Sequence, residues 1–251
     1  MTKRVLITGG TSGIGLATAH RLAESHSTIV INGRNRERGA QARAAILARK
    51  PDADVRFIAA DVSTKDGVSG LLAAAMEGFG APIDVLVNSA GGEFIPTLFH
   101  ENTPEVVDRV IQHWLISTIY CCLLALPHLA DGAAIVNVAS DAGKVPTPGE
   151  SVIGAAMAGI SMFSRTLAME AKRRRIRVNV VTPSLVRETL THDRIMSDAF
   201  SSKLFAKALQ AAHLGAVDAD DVAAAIQFLV GTDATKVTGQ VISINGGISA
   251  G

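Results

Sequence analysis

Aromatic side chains are scarce in this sequence, at 4% of 251 residues, with one Trp (Trp114) and one Tyr (Tyr120). Chemistry that needs a phenol therefore has a single candidate. The only two cysteines, Cys121 and Cys122, are sequence neighbours in an apolar helical pattern. Adjacent helical side chains point in different directions, so a mutual disulfide would be strained and reduced core thiols are expected. A formal charge of +1 gives no global field to draw in nucleic acid or an anionic membrane, which favours a small-molecule partner. The one basic run, Lys172, Arg173, Arg174 and Arg175, closes a long helical pattern, where cations complement the negative end of the helix dipole. No unbroken apolar run reaches the roughly 20 residues of a bilayer span, and no metal site is read. The opening residues, Met1-Thr2-Lys3-Arg4-Val5-Leu6-Ile7, enter a strand pattern without the apolar core and cleavage site of a secretory leader, so a cytoplasmic location is expected.

What the chain has is apolar content, 48% of it, cut into short runs by Gly, Pro and charge. Residues 5–8, 28–32, 55–59, 85–88, 133–138, 178–181 and 241–244 are β-branched-rich runs that read as strands buried on both faces. Helical patterns at 16–23, 36–49, 67–79, 105–126, 152–173 and 220–229 lie between them and are long enough to cross over to a parallel neighbour. The alternation predicts one α/β domain over residues 1–251, a Rossmann-type doubly wound parallel sheet of about seven strands with helices on both faces. Such sheets bind ligands beyond the carboxyl ends of their strands, where strand order reverses. The stretch 183–214 separates the sixth strand from the last helix and is read as a substrate lid. Within it Phe200, Leu204 and Phe205 hint at an apolar ligand.

Directly after the first strand stands Gly9-Gly10-Thr11-Ser12-Gly13-Ile14-Gly15. Glycines in a strand-to-helix turn let backbone approach a ligand, and the free amides of the helix start suit a pyrophosphate. The Gly-x-x-x-Gly-x-Gly spacing is similar to that of short-chain dehydrogenases/reductases. Asp61-Val62 resembles the family's adenine-contacting pair, and Asn88-Ser89-Ala90-Gly91 its Asn-Asn-Ala-Gly segment, with Ser89 in place of the second Asn. The resemblance continues through Ile135 to Ser140, Ile176 to Pro183, and Val237 to Gly247, so it covers essentially the whole chain. It implies a nicotinamide cofactor held by Gly9, Thr11, Ser12, Gly13, Ile14, Gly15, Asp61, Val62, Asn88, Ala90, Gly91, Pro183 and Val186. Gly33 stands where an NAD-preferring member places an acidic residue, and Arg34 follows it, so NADP(H) is expected over NAD(H).

The catalytic half departs from the family pattern. The family has a Ser after the fifth strand, a Tyr thirteen residues later, a Lys four residues beyond the Tyr, and an Asn on the helix after the fourth strand. Ser140 is retained, but the count places Ile153 at the tyrosine, Met157 at the lysine and Trp114 at the asparagine. None of these replacements moves a proton at neutral pH. Together they predict a repacked pocket floor with Trp114, Ile153 and Met157 close to one another. Tyr120 lies six residues from Trp114 and turns to a different helical face, where it reads as core. Asp141, Lys144, Glu150, His113 and His192 are the ionisable residues near the expected pocket.

The resemblance therefore implies an atypical oxidoreductase acting on a carbonyl or alcohol. The alternatives are a non-redox isomerase, cyclase or dehydratase on the same scaffold, and a silent NADP(H)-binding sensor or subunit. Ser184, where the family has Gly after Pro183, bears on the nicotinamide half of the site. Ala155, Ala156, Ala158 and Gly159 permit close helix approach, and the family's habit of packing this helix against another subunit implies a homodimer or homotetramer.

Overall fold

Strands whose residues are apolar on both sides of the pleat need cover on both sheet faces, and this chain supplies it with alternating helices. A computed structural model describes residues 3–25, 27–91 and 94–250. Of the opening run, Met1 and Thr2 lie outside the described residues. Strands β1 (Arg4–Thr8), β2 (Thr28–Gly33), β3 (Asp54–Ala59), β4 (Ile83–Asn88), β5 (Leu129–Val138), β6 (Arg177–Pro183) and β7 (Val241–Ile244) form one parallel sheet in the order β3-β2-β1-β4-β5-β6-β7. The chain winds outward from β1 in one direction through β2 and β3. It then returns to β4 and winds the other way, so strand order reverses between β1 and β4.

The pleat sorts the core into two halves. Ile7, Ile31, Val87 and Val136 face one cluster, which packs under α1 (Gly13–Ala23), α2 (Arg36–Arg49) and α9 (Ala219–Val230). Leu6, Val30, Leu86 and Ile135, each one residue earlier, face the other cluster under α3 (Lys65–Phe79), α5 (Ser117–Ala125) and α6 (Ser151–Ala171). Cys121 and Cys122 are buried in this second half and free, and burial pushes the Cys122 thiol up to about 12. Tyr120 packs against the same cluster, as its helical offset predicts.

One expectation is corrected. The helix read over 105–126 is interrupted: α4 (Pro104–Ile111) and α5 are joined by a π-helical turn at Gln112–Ile116. One inserted residue widens the turn so that the Ser117 N–H reaches Gln112 O, and Ser117 Oγ donates to the carbonyls of His113 at 2.7 Å and Trp114 at 3.2 Å. The stretch 183–214 carries α7 (Leu190–Ser197) and α8 (Ala199–Gln210), capped by Thr189 and Asp198. On α6, two of the small residues serve the chain itself. Ala156 is fully buried, and a Cβ on Gly159 would stand 2.9 Å from Leu115 Cδ2, whereas Ala155 and Ala158 face outward.

Two helical stretches, Pro104–His128 and Ser151–Arg174, are long and apolar enough to cross a membrane by length and composition alone. Each lays buried residues against the folded chain, α6 nine of them, so their apolar character is that of core helices. In the basic run, Arg174 closes the sheet end by donating to Leu126 O at 2.8 Å, to Leu129 O and to Asp131 Oδ1 at 3.0 Å.

Candidate active site

At the carboxyl ends of the strands, over the point where strand order reverses, lies a cavity of about 560 Å³. Its first wall is the turn after β1, formed by Gly9, Thr11, Ser12, Gly13 and Ile14. Gly9 has φ +66°, and a Cβ there would meet Ser89 O at 2.6 Å, so only glycine fits. Gly15 is not in the wall. A Cβ on it would meet Gly9 O at 2.3 Å, which shows how closely α1 sits on the turn. Ser12 makes no side-chain cap bond and the first turn of α1 holds no acidic residue, so the amides of the helix start face the cavity rather than a side chain of their own helix. A glycine cradle under uncapped helix amides fits the pyrophosphate of a dinucleotide.

At the second wall Asn32, Gly33 and Arg34 end β2, Arg38 reaches in from α2, and Asp61 and Val62 follow β3. Asp61 Oδ1 accepts from Ser63 N–H at 3.0 Å and from Ser63 Oγ at 2.8 Å. Burial works to raise its pKa, but these bonds and the nearby Arg34 outweigh burial and hold the carboxyl below its ordinary value. An ionised Asp61 can accept a hydrogen bond from an amino group such as that of adenine.

The third wall is formed by Ala90 and Gly91 after β4, Ser140 after β5, Trp114, the α6 residues Ile153 and Met157, and Pro183, Ser184 and Val186 after β6. Asn88 lies beneath it, with Nδ2 donating to Asn137 Oδ1 at 2.9 Å, and thereby ties β4 to β5. Every other residue singled out in the sequence for cofactor binding, Gly15 apart, borders the one cavity.

The family model described as enoyl-(acyl carrier protein) reductase matches residues 9–249. The chain belongs to the short-chain dehydrogenase/reductase family. It is 33% identical over 256 residues to 3-oxoacyl-(acyl-carrier-protein) reductase FabG of Chlamydia muridarum, with 99% of this chain and 98% of that protein covered. Among solved structures, levodione reductase superposes with a TM-score of 0.91 at 30% identity over 98% of both chains. A short-chain dehydrogenase from Burkholderia cenocepacia, solved with NADP, superposes at 0.89 and 30% identity over 99% of this chain and 98% of that one.

In this short-chain dehydrogenase/reductase the floor of the cavity is apolar. Ile153 and Met157 are 8% and 4% exposed and share a cluster with Val110, Ile160 and Val180, against which Trp114 and Phe94 pack. Phe94 meets Trp114 edge to face at 5.4 Å, and Trp114 Nε1 stands 2.9 Å from where a Cβ on Gly91 would be. Trp114, Ile153 and Met157 are thus in one group, as the counting predicts. Ser140 Oγ accepts from the Ala142 amide at 3.2 Å, which leaves its hydroxyl hydrogen for a ligand.

Of the ionisable residues near the pocket, His113, Asp141, Glu150 and His192 line the cavity, and Lys144 stands behind Asp141 at 3.5 Å. Burial pushes the Glu150 carboxyl up to about 7, with Asp141 adding to the rise and a hydrogen bond from Thr147 opposing it. Leu204 and Phe205 line the cavity, whereas Phe200 packs toward Gly149 outside it. The sequence reading missed Arg38. Its signal was a second arginine four residues after Arg34, just inside a helix whose start the Asn35 cap announces.

Proposed function

We propose that this protein is an NADP(H)-dependent oxidoreductase that interconverts a carbonyl and an alcohol on a small, largely apolar substrate without the tyrosine–lysine relay of its family. One observation carries this reading: a single cavity joins the glycine turn to Ser140 and to the apolar residues at 114, 153 and 157. Gly9, Thr11, Ser12, Gly13 and Ile14 take the pyrophosphate, with Gly15 holding α1 against the turn. Asp61 and Val62 take the adenine, and Arg34 with Arg38 takes the 2′-phosphate. Ala90, Gly91, Pro183 and Val186 flank the nicotinamide half, which Asn88 supports from below.

Bound there, the nicotinamide supplies or accepts a hydride. Ser140 donates a hydrogen bond to the substrate oxygen, while Trp114, Ile153 and Met157 exclude water and shape the apolar part of the site. The stretch 183–214 is the substrate lid. In support, a Cβ on Gly13 would lie 3.4 Å from the Thr189 methyl, so the segment already reaches across the glycine turn. A cytoplasmic homodimer or homotetramer completes the reading, supported by exposed apolar residues on α5 and α6.

Fluorescence titration with NADPH and NADH, followed by absorbance assays against a panel of ketones, tests it. Preferential NADPH binding with ketone-dependent oxidation is expected. Substrate conversion without an absorbance change would instead assign non-redox chemistry, and binding with no conversion a sensor.

A further inference from the structure

Glu150 is a wall residue that neither the cofactor cradle nor the family pattern uses. It caps α6, and Ile153 and Met157 follow at three and seven residues, spacings that put all three on one helical face, the face that the cavity meets. Its position is fixed. The Glu150 N–H donates to Thr147 O at 3.0 Å, and its carbonyl accepts from Gly154 N–H at 2.5 Å. The preceding Gly149 accepts from Thr97 N–H at 2.8 Å, and a Cβ on it would stand 2.8 Å from Phe200 Cε1, so the turn is pinned between two other segments.

A second observation points to a ligand beside it. Asp141 is 6% exposed and lines the same cavity. Its Oδ2 accepts from Asn245 Nδ2 and from Ser249 Oγ at 2.9 Å, which locks the carboxylate in place. Its Oδ1 is buried, finds no hydrogen-bond donor among the described residues, and is ion-paired with Lys144 Nζ at 3.5 Å. A buried acceptor without a donor is costly, and a hydroxyl-bearing ligand supplies one. Asp141 also stays close enough to Glu150 to disfavour a second negative charge.

We propose that Glu150 is the acid/base of this pocket, handing a proton to the substrate oxygen from the same helical face on which the family's tyrosine station has become Ile153. Asp141 beside it accepts a hydrogen bond from a substrate hydroxyl. This assignment rests on the redox reading above. In the reductive direction the substrate carbonyl gains a proton on oxygen from the neutral Glu150 carboxyl and a hydride on carbon from a reduced nicotinamide. The alcohol departs, the nicotinamide is left oxidised, and the Glu150 carboxylate is reprotonated from solvent. Burial holds the Glu150 carboxyl near neutrality, where an acid/base group serves best.

The test is Glu150→Gln, which keeps the shape and removes the proton. The other charged or titratable cavity residues are Arg34, Arg38, Asp61, His113, Asp141, His192 and Arg194, with Lys144 behind Asp141; all remain in the variant, so any difference reports Glu150. In the ligand-free protein, the glutamate side-chain carbon signal lost in Glu150→Gln is expected to titrate near pH 7 in the wild type. Titration of that signal in the ordinary carboxylate range would overturn the assignment. An acyloin with an apolar chain is expected to bind the wild type about tenfold more weakly per pH unit above 7, and to bind Glu150→Gln without that dependence. Turnover of the acyloin is expected to fall roughly 10²- to 10⁴-fold with NADPH affinity unchanged, and a wild-type rate and pH profile in the variant would refute the role. Should none of the ketones tested support NADPH oxidation by the wild type, the redox reading falls, and the carbon titration still decides Glu150.

Discussion

The Cβ position of Gly33 lies 2.7 Å from Thr11 Oγ1, so at the adenosine end of the cavity these two residues compete for one space. Any side chain at 33, a carboxylate above all, must displace Thr11, and Arg34 and Arg38 border the opening that is left. Arg34→Ala is therefore expected to weaken NADPH binding about 10- to 100-fold, the size of one charge-assisted hydrogen bond, while NADH binding changes little. Parallel fluorescence titrations of the variant check this, and equal loss for both nucleotides would remove Arg34 from the phosphate role.

The apolar floor makes its own prediction. Met157 is 4% exposed inside a cluster of apolar side chains, so Met157→Lys brings an ammonium into apolar surroundings. Denaturant unfolding of Met157→Lys is expected to show a loss of at least about 2 kcal/mol. Combination with Ile153→Tyr is expected to recover part of it, because the phenol gives the ammonium a partner. If the double variant keeps NADPH binding but gains no ketone reduction, the pocket has diverged beyond these two positions.

How far the chain could be read without its structure depended on how local each cause was. The central strands were legible because they are covered on both faces and so show as apolar, β-branched-rich runs. The start of β5 was missed because Ala130, Asp131 and Gly132 are polar or small, and the register with β4 shifts there. The π turn shifts the helical phase by one residue, but α5 is apolar around most of its surface, so the spacing does not mark the shift. The two helices of 183–214 were announced by Thr189 and Asp198, whose side chains accept from His192 N–H and Ser201 N–H, but the sequence reading did not use these caps. In the site, the glycine turn was legible because its geometry is local. Arg38, the buried Asp141 Oδ1 and the altered Glu150 depend on which distant segments close over them, and no single stretch of sequence carries that.

The raised Glu150 pKa also has a signature in stability. A carboxyl that titrates at 4.5 when unfolded and near 7 when folded binds its proton more tightly in the folded state. The wild type therefore loses stability as pH climbs between those values and holds the deficit above them. Glu150→Gln lacks this loss. Its thermal midpoint is expected to match the wild type near pH 4.5 and to exceed it by pH 8, by an amount worth at most about 3 kcal/mol. A gap that is widest in acid and closes toward pH 8 would contradict the buried carboxyl.

Assembly is tested on the outer face of α6. Met162 and Met169, 61% and 59% exposed, stand seven residues apart on one side of the helix, and Leu123 of α5 is 61% exposed. Three large apolar side chains on two helices are costly to leave in water and suit a second copy of the chain. The unmodified protein is expected to run as a dimer or tetramer in size-exclusion chromatography with light scattering. Met162→Glu with Met169→Glu puts two charges into that face and is expected to shift the protein toward monomer, leaving the fold intact because neither side chain is in the core. A wild type that is already monomeric, or a variant that assembles unchanged, would show that copies do not meet on this face.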